Sequence, residues 1–448
     1  MKRRLEQDLK KWKDNPMRKP LLLLGARQVG KTWLMRHFGD ENYKDVVYIR
    51  FDRNERMRRI FETSNYDMKE LLLLMQAETN INIKPGDTLI ILDEIQDCPA
   101  ALTSLKYFCE DLPDYHVMAA GSLLGVKQHH GTGFPVGKVN TMILYPLTFR
   151  EFMTALEHPH DIDFIELQKW ESVKLISDRL THLLKLYYYI GGMPEVVNTY
   201  LQTKDFSAVR SAQNEILSNY ANDFSQHVPA MLAAKLSLLW ESIPHQLAKE
   251  NKRFIYKEVD SKMRARDLES AMDWLFRAGL IYRVDRINEP SLPIGAYQDG
   301  AFKLYFLDVG LLGAKCELEV STILEKSAIF KEFKGALTEQ FVQQELRAES
   351  QISPHYWQSD TFRAEVDFVI QTSMNVVPIE VKAERNTKAK SLLNYCRKYK
   401  PVLAVRISMN DFSENNLETS ETTNTTLLDI PLYATFMLLP ICREALLK

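Results

Sequence analysis

Several features that would simplify the reading of this sequence are scarce or missing. Its five cysteines (Cys98, Cys109, Cys316, Cys396, Cys442) are odd in number, scattered and without a C-x-x-C pair. That excludes a disulfide frame and a cysteine-based zinc site, and it points to a reducing compartment with buried free thiols. The longest apolar runs, such as LLLL at 21–24 and LLLLM at 71–75, fall far short of the ~20 residues a bilayer crossing needs. The opening MKRRLEQDLKKWKD is basic but lacks the apolar stretch of a signal peptide. The expectation is a cytoplasmic protein with no membrane partner. Net charge is only −2, so any contact with nucleic acid must come from a local basic surface. No repeat is visible, and low complexity is confined to ENNLETSETTNTT (414–426), which reads as a mobile loop.

What is present is enough for several cores. The chain has 448 residues, 45% of them hydrophobic, which suggests about three domains. Up to about residue 150, nearly all-apolar runs alternate with helical stretches: PLLLLG (20–25), DVVYIRFD (45–52), TLIILDEI (88–95), HVMAAGS (116–122) and TMILYPL (141–147). Strands buried on both faces read this way, so the fold class is α/β with a parallel sheet between helical layers. From 150 to 230 the pattern turns helical, broken by GGMP (191–194), a turn with backbone freedom enough to serve a closing segment. In 231–315, Leu268, Met272, Leu275 and Phe276 share one helical face, then the chain passes through Gly279 into an alternating strand. Helix plus hairpin is the pattern of a winged helix. From 316 onward, helices and strands suggest a further small α/β unit.

GARQVGKT (25–32) matches G-x-x-x-x-G-K-[ST] between a strand and a helix. Gly25 and Gly30 let the backbone curl its N–H groups toward phosphate, Lys31 reaches the β- and γ-phosphates, and Thr32 holds Mg²⁺. Gln28, Val29 and Trp33 complete the expected nucleotide-binding stretch. In TLIILDEIQ, Asp93 is placed to hold the metal's water shell and Glu94 to polarise an attacking water. Ser122 ends the HVMAAGS strand, where a small polar group could sense the γ-phosphate. No arginine finger is assigned; Arg27, Arg150 and Arg210 are candidates on charge alone. His129 and His130, in the Gly-rich KQHHGTGFPVGK, read as loop and not as a metal site. The basic residues at the start (Lys2, Arg3, Arg4, Lys10, Lys11, Lys13) read as the solvated face of an amphipathic helix that packs Leu5, Leu9 and Trp12.

Taken together, RKPLLLLGARQVGKTWLMRHF, TLIILDEIQDCP, HVMAAGS and YYYIGGMPEVV resemble a family of bacterial and archaeal AAA-type P-loop ATPases. The resemblance spans the chain and implies an ATPase core (1–150), a helical lid (151–230), a winged-helix-like domain (231–315) and a PD-(D/E)xK, restriction-endonuclease-like domain (316–448). It implies ATP and Mg²⁺ as cofactors.

The last segment contains VDFVIQTSMNVVPIEVKAE. If TSMN (372–375) is a symmetric turn, Asp367 lies opposite Glu380 and Glu365 opposite Lys382, all on one face. Two opposed carboxylates repel unless something neutralises them. A divalent cation would, with Asp367 and Glu380 as ligands and Lys382 orienting water; the alternative is a hairpin held by a Glu365–Lys382 ion pair. The resembled nuclease fold adds Glu339 as a third metal ligand. Basic residues follow (Arg385, Lys388, Lys390, Arg397, Lys398, Lys400, Arg406), interleaved with Tyr395 and Tyr399, as on a phosphate-contacting stripe. The expectation is an ATPase coupled to a nuclease-like module that acts on DNA, with a homo-oligomer supplying an arginine in trans. The alternative is a nucleotide switch whose C-terminal parts only hold nucleic acid or protein.

Overall fold

The computed structural model describes residues 1–122, 135–226, 228–249, 252–324, 331–359, 364–385, 389–420 and 423–447. His129, His130 and Lys388 lie outside them. The chain forms two compact units, one of Met1–Tyr145 with Arg277–Leu280, the other of Pro146–Phe276 with Ile281–Lys448. No described helix is long and apolar enough to cross a membrane.

The first unit is a parallel α/β sheet. Strands β1 (Leu21–Gly25), β2 (Asp45–Arg50), β3 (Thr88–Asp93), β4 (His116–Ser122) and β5 (Asn140–Ile143) run in the order β2-β3-β4-β1-β5. Every residue of β1 and β3 is buried, because helices cover both faces. Helix α1 (Leu5–Asp14) buries Leu9 and Trp12, and α2 (Lys31–Asn42) buries Leu34, Met35 and Phe38. With β4 inserted between β1 and β3, the C-terminal ends of those two strands are held one strand apart.

In the second unit one eight-stranded mixed sheet runs β12-β13-β11-β10-β9-β8-β6-β7. Its strands are β6 (Ile281–Ile287), β7 (Gln298–Phe306), β8 (His355–Gln358), β9 (Glu365–Thr372), β10 (Asn375–Val381), β11 (Leu403–Ser408), β12 (Ser413–Ser420) and β13 (Thr423–Pro431). This changes two expectations. The β6–β7 hairpin is not the wing of a separate 231–315 body: β6 pairs in parallel with β8, Asp285 to His355 through Ile287 to Trp357. The described parts of the polar 414–426 stretch, 414–420 and 423–426, are strands and not a loop. They form β12 and the start of β13, and β13 is fixed by parallel pairing to the buried strand β11.

The helical segment expected as a lid packs within this second unit. The helix Ser177–Ile190 buries eight residues, Tyr187, Tyr188 and Tyr189 among them, and the turn after it is filled. Gly191 has φ 78°, and a β-carbon there would lie 2.1 Å from Asp308 Oδ1. Gly192 donates its N–H to Asp308 Oδ2 at 2.6 Å and accepts from Leu147 N at 2.6 Å. The glycines permit close backbone approach here.

Candidate functional site

The phosphate loop is built from β1 and α2. A β-carbon on Gly25 would stand 2.4 Å from the Leu144 carbonyl, so only glycine fits where the loop leaves the strand. Gln28 and Gly30 take left-handed φ values of 66° and 95°, which curl the backbone before the helix starts at Lys31. Lys31 Nζ donates to the carbonyls of Gly25 at 3.0 Å and Ala26 at 2.8 Å. Burial lowers its pKa to about 8, against the opposing pull of Glu94 and Asp93. Val29 is fully buried. Trp33 is 43% exposed and stacks on His37 at 4.6 Å.

Thr32 and Asp93 meet across the end of the sheet. Thr32 Oγ1 donates to Asp93 Oδ2 at 2.7 Å, and Tyr48 OH donates to the same oxygen at 2.8 Å. Asp93 is only 2% exposed. Glu94, at φ 50°, turns out of the strand, and Gln96 Nε2 holds its carboxylate at 2.6 Å. Ser122 pairs with Gly25 in the β4–β1 register, beside the loop. Lys31, Thr32, Asp93 and Glu94 thus share one edge of the sheet. A hydroxyl and a carboxylate sharing a hydrogen bond at the start of a helix fit Mg²⁺ in kind, and a curled loop with a buried lysine fits a polyphosphate.

Sequence reasoning placed Arg3 in solvent, but it is 5% exposed and donates to the carbonyls of Val29 and Tyr145 at 3.0 and 2.6 Å. A run of lysines and arginines masks the one member that turns inward. Arg150 pairs with Glu166 and Glu349, and Arg210 lies over the Tyr189 ring and donates to the Leu318 carbonyl. Both are structural in their own unit.

The second cluster sits on the β9–β10 hairpin. Paired residues run from Asn375–Thr372 to Ile379–Phe368, a register that sets Asp367 against Glu380. Asp367 Oδ2 accepts the Val381 N–H at 2.7 Å. Glu339 comes from the helix Lys331–Ala348, accepts from Lys252, and lies 3.7 Å from the fully buried Lys303. Glu365 is bound by Lys303 at 2.5 Å and Lys382 by Glu380 at 2.5 Å. The ion pairs observed are therefore not the Glu365–Lys382 pair of the alternative reading.

Electrostatics follow from this enclosure. Burial, then Glu339 and Glu380, push the Asp367 pKa well above the usual carboxylate range. Burial raises Glu380 too, with Lys382 opposing. For Glu339 burial acts upward, but Lys252 and Lys303 prevail and hold its pKa below the ordinary value. Glu380 Oε2 is buried with no hydrogen-bond partner. An orphaned carboxylate oxygen among acidic neighbours fits a hard divalent cation in kind. The spacing is wider than an ion would need. Among the described residues, the one set of three side chains with ligand atoms within 4.8 Å is Glu6, His37 and Glu41, not Glu339, Asp367 and Glu380.

The basic stripe is shorter than expected. Arg406 is engaged by Asp429, and Tyr395 is buried against Trp357 at 5.2 Å. Arg385, Lys390, Arg397, Lys398 and Lys400 are exposed.

Comparison with known proteins agrees with the first site. Residues 17–153 match the family described as an AAA domain; this part of the chain is an AAA-type P-loop ATPase domain. Residues 181–322 and 334–433 match two domains of unknown function, DUF8612 and DUF4143. No curated protein matches the sequence. Similar solved structures include a Walker-type ATPase of Pyrococcus abyssi, at 14% identity and TM-score 0.43, covering 69% of this chain and 94% of that one. The Orc1 protein of Aeropyrum pernix in complex with DNA gives 14% identity and TM-score 0.30, covering 71% and 93%. Cdc6p of Pyrobaculum aerophilum gives 12% and 0.27, covering 73% and 96%. Scores this low carry no assignment.

Proposed function

We propose that the protein binds and hydrolyses ATP in its first unit, and that its second unit is a PD-(D/E)xK-like module acting on DNA. The observation that supports the ATPase reading best is the Thr32–Asp93 hydrogen bond at 2.7 Å, beside a lysine poised in the loop. When bound, Mg²⁺ would be held by Thr32 and Asp93 and would screen the phosphate charge. Lys31 exchanges its two carbonyl partners for phosphate oxygens. Glu94, oriented by Gln96, accepts the hydrogen bond of the attacking water and draws density toward its oxygen. In the second unit Asp367, Glu380 and Glu339 are the carboxylates that would hold a metal, and Lys382 would face the scissile phosphate. The exposed Arg385, Lys390, Arg397, Lys398 and Lys400 support contact with a nucleic-acid backbone.

A second reading is favoured by the lysines. Lys252, Lys303 and Lys382 already neutralise Glu339, Glu365 and Glu380, as in a module that holds DNA without cutting it. ATP turnover and DNA nicking, measured together with Mg²⁺ or Mn²⁺, separate the two. The cleaving reading expects nicked product that Asp367→Asn abolishes; ATP turnover with no nicking under either metal leaves the holding reading. Glu94→Gln should bind ATP and turn it over at least about a hundredfold more slowly. Equal turnover would remove Glu94 from the chemistry.

A further inference from the structure

We propose that Arg3 is a positioning residue for the nucleotide site: its buried guanidinium fixes the crest of the phosphate loop so that the Gly30 N–H is aimed at the anion before it binds. This rests on the ATP reading above and adds a residue that no loop motif contains.

The geometry is specific. Arg3 lies just ahead of α1, and its backbone N–H donates to Glu6 Oε1 at 3.0 Å, which anchors the residue to the first turn of the helix. Nη1 donates to the carbonyl of Val29 at 3.0 Å and Nη2 to that of Tyr145 at 2.6 Å. The first carbonyl is in the phosphate loop, immediately before Gly30. The second follows Leu144, whose carbonyl limits Gly25 at the loop's other end and whose N–H donates to Leu24 O at 2.7 Å. One planar guanidinium thus ties both ends of the loop's surround to the helix.

Burying a guanidinium is costly unless it gains compensating partners. Two of those partners are the backbone carbonyls of Val29 and Tyr145. The consequence for the loop comes from peptide planarity. In a trans peptide the C=O and the following N–H point in opposite directions, so a Val29 carbonyl held on Arg3 turns the Gly30 N–H away from Arg3. Gly30, at φ 95°, is the residue least able to keep that orientation unaided, because its backbone is the most permissive. An amide aimed in advance need not be ordered by the ligand, and the affinity saved appears as tighter phosphate binding.

The test is steady-state ATPase kinetics and direct ATP binding on the full chain, for the parent, Arg3→Ala and Arg3→Lys, at a temperature where circular dichroism shows each folded. The expected result for Arg3→Ala is an ATP dissociation constant and KM raised about tenfold, with kcat within about twofold. Arg3→Lys should fall between, since an ammonium lacks the planar fork that spans two carbonyls. A merely structural role would lower the melting temperature and leave KM unchanged in the folded protein. That result, or a fall in kcat at constant KM, would overturn the proposal. If Arg3→Ala does not fold, Arg3→Lys carries the same comparison. A parent protein that binds no ATP overturns this inference and the ATPase reading together; a parent that binds ATP, with Arg3→Ala equal to it, overturns this inference alone.

Discussion

The carbonyl of Gly192 accepts the Leu147 N–H at 2.6 Å, and a β-carbon on Gly192 would stand 2.1 Å from the Leu147 carbonyl oxygen. Two backbones touch here with no side chain between them. Gly192→Val should therefore destabilise the second unit by ~3 kcal/mol or more, because the obstacle is main chain and cannot swing aside. Thermal unfolding followed by circular dichroism checks this. A melting temperature within about 2 °C of the parent would favour the hinge reading of this turn.

Lys31 gives a pH prediction with a definite sign. Burial holds its apo pKa at about 8, and polyphosphate beside the ammonium favours the charged form and raises it. ATP binding should thus take up protons above about pH 8, and affinity should fall as pH rises through that value. Calorimetry in two buffers of different ionisation enthalpy measures the uptake. Zero uptake at about pH 9 would mean that Lys31 does not meet the phosphates.

The acidic cluster makes opposite demands of metal and lysine. If Asp367 and Glu380 hold a divalent cation, Mn²⁺ at about a hundred times its dissociation constant should stabilise the full chain by ~2.7 kcal/mol. Asp367→Asn should lose that gain while leaving the apo protein as stable or slightly more so. Removing the cation at the back of the cluster should be far worse: Lys303→Met takes from Glu365 its ion-pair partner and leaves Glu339 with Lys252 alone, at a cost of about 3 kcal/mol. Metal-independent melting of the parent would sink the metal site.

The sequence carried the short-range information well. The hairpin register was legible because a two-residue turn and strict alternation leave little freedom, and the phosphate loop because its glycines and lysine are contiguous. Partnership across long distances was not legible. An amphipathic helix shows that it has an apolar face without naming what covers it, so the packing of 151–230 within the second unit was not legible. Ile281–Ile287 reads as half of a hairpin whether or not a third strand joins it. Arg3 was hidden for a related reason, since its acceptors are main-chain carbonyls, which leave no mark in the sequence. The Gln340, Gln344 and Glu345 side chains are similar: they accept from the Phe306, Val309 and Phe149 backbone N–H groups, partners that no sequence pattern names.

The sharing of one sheet by 281–306 and 355–431 also orders events in time. Thr148 Oγ1 donates to Glu349 Oε1 across 201 residues of chain, and β6 meets its partner β8 only after the intervening helix has been made. On the ribosome, the helices after Pro146 would leave the exit tunnel long before the Glu349 carboxylate that receives Thr148 exists. Such long loop closures fold slowly and leave unpaired strand edges exposed meanwhile. A fragment ending near 315, or one beginning at 316, would keep that exposure permanently, with β6 or β8 left as a bare edge. The second unit is therefore a single unit of synthesis and folding, finished only when its last strands arrive.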